Sequence, residues 1–243
     1  EKVIEYNQPQ FIESDPIQIP HLFSKRQDIE IAGLLAATIA WGQRKTIVKN
    51  AKTIVELLDF APYDFVINHS KEDLKKFENF VHRTFNGIDL AFFISSLKAI
   101  YNKHKSLEEL FLPTDNELNL GPSIDRFRTT MFSAPHLPRS EKHISSPAKG
   151  SASKRLIMYL RWMVRPNNTG VDLGIWKDIP LEKLSCPLDV HSGNVARKLK
   201  LLKRKQNDWK AVNELDKALK KLDSKDPAKY DFALFGLGVF EGF

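Results

Sequence analysis

Between Asp28 and Trp41 the chain reads DIEIAGLLAATIAW, a run of apolar and small residues with almost no polar face. Such a stretch folds as a helix buried on every side, because a helix that is apolar all round has no face left for water. It therefore demands a shell of further helices, and the sequence supplies them. Thr46–Phe60 places Ile47, Ala51, Ile54, Val55 and Leu58 on one stripe, and Gly87–His104 does the same with Leu90, Phe93, Ile94, Leu97, Ile100 and Tyr101. Ser24 stands where a cap for the buried helix is expected, and Ser70-x-x-Asp73 approximates a capping box at the head of SKEDLKKFENFV. SLEELFL and GPSIDRFRTTMF predict shorter helical pieces, whereas the Pro- and Ser-rich Ser133–Gly150 predicts loop. Further helices are expected over Ser153–Val164 and from Asp189, Asn207 and Asp226, with a polar interruption reaching to about Leu184. No internal repeat is visible, and no stretch keeps a two-residue alternation. The expected class is all-α, with a short strand pair around Val171–Trp176.

Composition narrows the function classes. A chain of 243 residues can bury a substantial core, as one large domain or as two lobes sharing an interface. Its 42% hydrophobic and 28% charged residues are those of a water-soluble globular protein. A formal net charge of +7 favours a polyanionic partner, although enzymes of small anions are often as basic. Cys186 is the only cysteine, which excludes an intramolecular disulfide and a cysteine-ligated iron–sulfur cluster. Cys186 and His191 alone do not make a zinc site, so no metal and no cofactor are expected. No apolar run is long enough to span a bilayer, and the polar start EKVIEYNQ does not read as a signal peptide. A cytoplasmic monomer without membrane contact is expected.

The candidate chemistry lies between Pro147 and Leu199. In Gly150-Ser151-Ala152-Ser153-Lys154 small residues let the backbone turn tightly and approach a ligand. Ser153 stands near the start of the helix KRLIMYLRWMV, whose free N–H groups favour a phosphate, and Lys149, Lys154 and Arg155 surround the turn with positive charge. Pro187 fixes the chain ahead of Asp189, a strong N-cap for VHSGNVARKLKLL. Taken singly, a glycine turn is usually only a turn and an Asp here usually only a cap. Gly193 inside the second helix lowers its stability relative to Ala, which points to close approach of another backbone or a ligand. The basic run Arg197–Lys210 is first of all a solvated helix face, and its nearness to Asp189 makes it a candidate phosphate-contacting surface.

This segment resembles the helix-hairpin-helix (HhH-GPD) DNA glycosylases, the superfamily of endonuclease III and the 8-oxoguanine DNA glycosylases. Gly150 and Lys154 match the first glycine and the lysine of its hairpin, while Leu188-Asp189-Val190-His191 and Val195–Leu199 match its aspartate signature. The buried helix followed by Ala40-Trp41-Gly42-Gln43-Arg44 is similar to the early helix whose end supplies a lesion-probing Gln. The order of elements is similar over most of the chain, which as a whole resembles a separate bacterial branch of the superfamily; motif identity is confined to the hairpin and aspartate segments. Two departures stand out. Ala152 occupies the place of the second hairpin glycine, and Lys154 and Asp189 are 35 residues apart, farther than in the common members. That longer spacing is similar to the archaeal 8-oxoguanine glycosylases, which directs the substrate expectation towards oxidised guanine.

The resemblance implies a two-lobed helical fold. A central helical domain would span 24–164 and end in the hairpin, and 1–23 with 165–243 would form a second lobe carrying the Asp helix. It implies a base-excision glycosylase and AP lyase acting on double-stranded DNA with a damaged base or abasic site, and so a nucleoid-associated location. Lys154 would be the nucleophile and Asp189 its electrostatic partner. Gln43, Arg44, Lys149, Gly150, Ser151, Ser153, Arg155, His191 and Arg197 would contact DNA, with Trp176 as the more exposed tryptophan and Asp172 as candidates for the base pocket. The alternative is a non-catalytic helix-hairpin-helix DNA-binding protein on the same scaffold, since fold does not fix function.

Overall fold

The computed structural model describes residues 1–243 as a mostly helical chain of twelve α-helices with one two-stranded sheet. The first part holds α1 (Lys2–Tyr6), α2 (Gln10–Ser14), α3 (Arg26–Thr38), α4 (Arg44–Leu57) and α5 (Pro62–Asn68). The strands β1 (Val81–His82) and β2 (Phe85–Asn86) precede α6 (Gly87–Tyr101), α7 (Glu108–Phe111) and α8 (Gly121–Met131). The last part holds α9 (Lys154–Val164), α10 (Val190–Lys198), α11 (Trp209–Leu222) and α12 (Tyr230–Val239). No helix is long and apolar enough to cross a membrane.

As its composition demands, α3 is buried without interruption from Ile29 to Thr38, with α4, α5 and α9 packed around it. It starts at Arg26 with Lys25 in the cap position, so Ser24 does not cap it. Its one buried acid, Glu30, is heavily bonded: it accepts from Tyr101 (2.8 Å), Leu107 N (3.0 Å) and Trp176 Nε1 (2.8 Å), and Arg26 pairs with it at 3.2 Å. A buried carboxylate survives only with such partners. The Glu30 carbonyl also accepts from Tyr159 at 3.1 Å, which fixes α9 against α3. That contact positions the helix that begins at Lys154.

The expected strand pair around Val171–Trp176 does not form; the only pair is β1 with β2, antiparallel, with Val81 opposite Asn86. The reason is local. Leu173 N donates to Trp162 O (2.8 Å) and Trp176 N to Met163 O (2.9 Å), so this segment satisfies the free carbonyls at the end of α9 instead of a neighbouring strand. Ser70 and Asp73 do exchange the capping-box bonds, at 2.8 and 3.3 Å, but over a 3₁₀ turn, Asp73–Phe77, instead of an α-helix. On the far side α1 and α10 both pack on α12, which joins the N-terminal segment to the C-terminal helices. One connected apolar cluster runs from Ile17 to Leu234, so residues on both sides of the 24–164 boundary share a core.

Candidate active site

The loop ahead of α9 visits the left-handed region twice, at Gly150 (φ 88°) and Ser153 (φ 46°). Gly150 is exposed, and a Cβ added there would meet nothing within 4 Å, so its glycine answers to backbone conformation and leaves open space in front of the turn. Ala152 is not a left-handed position, so its methyl puts no backbone strain on the turn. Asp125 holds the turn from α8 by accepting from Ser146 and from Ala148 N (2.9 Å). Helix α9 then opens at Lys154 with no side-chain cap, leaving first-turn N–H groups without intrahelical acceptors.

Asp189 is the N-cap of α10 and closes a capping box with Ser192: its Oδ1 accepts from Ser192 N at 3.0 Å, and Asp189 N donates to Ser192 Oγ at 2.9 Å. That leaves Oδ2 free, and it lies 3.8 Å from Lys154 Nζ. The side chains are 29% and 26% exposed, so the pair is sheltered yet reachable. Folding back of residues 165–185 along the end of α9 closes the 35-residue separation in sequence.

The pair lines a pocket of about 560 Å³ whose wall also holds Asp15, Trp41, Arg44, Met158 and Phe235. Sequence reading passed over Asp15, Met158 and Phe235. They come from the N-terminal segment, mid-α9 and α12, and only tertiary folding brings them together. Asp15 is buried, and its carboxylate accepts one hydrogen bond, from Ile17 N (3.0 Å); burial pushes it above the usual range. Asp231, close behind, is pushed up to about 6 by burial against the pull of Arg161. A larger groove, about 740 Å³, runs along α8 beside Pro147 and Trp209, but its Asp125 and Arg126 are already bonded, the latter to Glu117. Only the smaller pocket brings an amine to a free carboxylate oxygen.

Several expected site residues are placed otherwise. Trp176 is not exposed in the insertion; at 1% exposure it donates to Glu30 in the core. Asp172 does not line the pocket: it is buried between Arg161 (3.2 Å) and Arg165 (2.5 Å), and Arg165 also pairs with Asp226 (2.9 Å). Arg197 spends its guanidinium on Arg204 O (2.8 Å), Lys205 O (2.8 Å) and Asn207 (2.6 Å), all within the chain, so it does not offer a phosphate contact. Arg155 borders the pocket but donates to Thr38 O and stacks over Trp41 at 4.7 Å, and burial lowers its pKa to about 10. Ser153 is buried with its hydroxyl accepting from Ser145, at 3.2 Å. Gln43 caps α4 and stands exposed between the pocket-lining Gly42 and Arg44 without lining the pocket itself. Arg44 donates to Ser14 (3.2 Å) and lies 5.0 Å over Phe235. Lys149 and His191 are exposed, and His191 reaches the pocket rim. Ser151 bridges to Asp208, which ties the turn ahead of α9 to the start of α11.

Among known protein families, residues 15–240 match the one described as "Protein of unknown function (DUF2400)". The chain belongs to that family. No curated protein and no solved structure matches this DUF2400 chain. The Lys154–Asp189 pocket lies wholly within the matched residues.

Proposed function

We propose that this DUF2400 protein is a DNA glycosylase and AP lyase with the helix-hairpin-helix glycosylase fold, removing a damaged base through a lysine Schiff base. The observation that carries the reading is the 3.8 Å approach of Lys154 Nζ to the free oxygen of Asp189 in one pocket, beside an open glycine turn. Its lobes are 24–164 and 1–23 with 165–243, and the pocket draws its residues from both.

The damaged base leaves the stack at a cost of a few kcal/mol, which is smallest where pairing is already weak. Lys154, as the neutral amine, attacks C1′; the N–C1′ bond forms as the bond to the base breaks, and the base departs with a proton. Asp189 Oδ2 stabilises the positive charge on the sugar ring, fixed in place because Oδ1 is held by the α10 cap. Opening of the sugar gives the imine. Loss of a C2′ proton then expels the 3′ phosphate and nicks the strand, and water releases the lysine. Lys149, Gly150 and the free N–H groups of α9 supply the backbone grip, and the 35-residue Lys154–Asp189 spacing, similar to that of the archaeal 8-oxoguanine glycosylases, directs the choice of base towards oxidised guanine.

A panel of duplexes carrying oxidised guanine, an oxidised pyrimidine or an abasic site tests the reading through released base and strand nicking. Release from at least one lesion, with nicking at the abasic site, is the expected result. Salt-sensitive duplex binding with neither reaction would leave only a DNA-binding protein on the same scaffold.

A further inference from the structure

The basic run after the Asp helix does not continue as a helix. α10 ends at Lys198, and Lys200 takes a left-handed conformation (φ 59°) at a position where glycine is the usual residue, which turns the chain sharply. Residues 199–208 then form a loop that Arg197 folds from within, donating to the carbonyls of Arg204 and Lys205 and to Asn207. Asn207 in turn donates to Asp189 O at 2.8 Å. Trp209 N donates to Gly150 O at 3.0 Å, beside the Ser151–Asp208 bridge. The loop is thus a bonded strap between the Asp189 cap and the glycine hairpin.

Its charge has no internal use. From Lys198 to Gln206 there is no acidic residue, and Lys200, Lys203 and Lys205 are exposed with ammonium groups that make no hydrogen bond or ion pair. Of the acids that follow the loop, Asp208 pairs with Arg204 and accepts from Ala211 N (3.0 Å), and Glu214 accepts from Lys203 N (2.6 Å) without pairing with any of the three ammonium groups. Three unpaired positive charges on one short loop raise the local positive potential, which an anionic partner would neutralise. Arg197 and the left-handed turn fix the backbone that carries that charge.

We infer that the loop Leu199–Asp208 is a second phosphate-binding surface, continuous with the hairpin, which holds the duplex DNA backbone beyond the lesion site through Lys200, Lys203 and Lys205. This inference rests on the DNA reading of the pocket for the identity of the polyanion. Duplex DNA is preferred over other polyanions because the strap joins the hairpin directly, and one continuous backbone can pass across both.

The test is the salt dependence of binding to a duplex with a single abasic site, for the native protein and for Lys200→Gln/Lys203→Gln/Lys205→Gln. Each lost phosphate contact removes about 0.9 from the slope of log K against log salt, so the triple variant should flatten it by about 2 to 3. Arginine at the same three positions should keep the native slope, which separates charge from any change in folding. An unchanged slope in the glutamine variant, or a change seen only with an RNA duplex of equal length, overturns the inference. The two readings fail separately. If the native protein nicks abasic DNA and the glutamine variant keeps the native slope, the loop surface is lost and the enzyme stands; if the native protein never nicks and the glutamine variant flattens the slope, the enzyme is lost and the surface stands.

Discussion

Asp189 does two jobs with two oxygens, and they can be separated by substitution. Oδ1 caps α10 through Ser192, while Oδ2 faces Lys154. Asn caps about as well as Asp, so Asp189→Asn should leave the urea midpoint nearly unchanged while slowing single-turnover nicking by about 10²-fold or more. Asp189→Ala removes the cap as well and should cost about 1 kcal/mol of stability, read from the same urea titration. Equal losses of stability in both variants would show that the charge, and not the cap, supports the fold. The turn before α9 and the Pro-led N-cap at Asp189 were legible as local patterns, whereas the pairing of Lys154 with Asp189 was suggested only by the family resemblance. Trp176, Asp172 and Arg197 are placed otherwise because other groups claim them once the chain folds: Glu30 takes the tryptophan, Arg161 with Arg165 the aspartate, and the Arg204 and Lys205 carbonyls with Asn207 the arginine. Asp15 carried no local signal at all.

Among the elements, α10 and the loop behind it form one unit around Gly193. A Cβ at Gly193 would come within 2.8 Å of both Arg197 Nη1 and Asn207 Oδ1, so the glycine makes room for the strap that holds Asp189. Elsewhere in a helix, glycine to alanine stabilises by about 1 kcal/mol. Here Gly193→Ala should fail to stabilise the native protein, yet recover part of that gain in an Asn207→Ala background, where only the flexible end of Arg197, no longer held by Asn207, stands in the way, as a double-mutant cycle by urea unfolding would show. Additive effects would mean that the two residues do not share the space. Periodicity located the helices themselves because burial of one stripe is what makes them helical; α4 and α6 carry the apolar stripes expected of them. Helix ends were less legible. Ser24 offered a cap that Lys25 occupies, and the VDLGIW segment found its acceptors on the end of α9.

The molecule as a whole buries charge in its core, and this sets its response to pH. Asp216 is buried with one oxygen accepting from Cys186 N (3.1 Å) and the other unpartnered, and burial pushes it from 3.8 up to about 6. The folded state therefore holds a proton that the unfolded chain has already released, and this group's contribution to stability falls as pH rises from about 4 through about 6. Asp231 acts in the same direction, whereas His143, lowered to about 4 by burial, acts oppositely, since there the unfolded chain binds the proton. Asp216→Asn removes one falling contribution; its stability relative to the native protein should improve by roughly 2 kcal/mol between about pH 4 and about pH 7, measured by urea unfolding. No relative change across that range would show that Asp216 does not titrate as a buried acid.

The same folded scaffold brings the Lys154 amine and the Asp189 carboxylate together from 35 residues apart, and that juxtaposition is what the enzymatic reading depends on. The most direct test is borohydride trapping on a duplex with one abasic site. A covalent protein–DNA adduct that disappears in Lys154→Ala is the predicted result. No adduct from the native protein, or one that persists at full yield in Lys154→Ala, would contradict it.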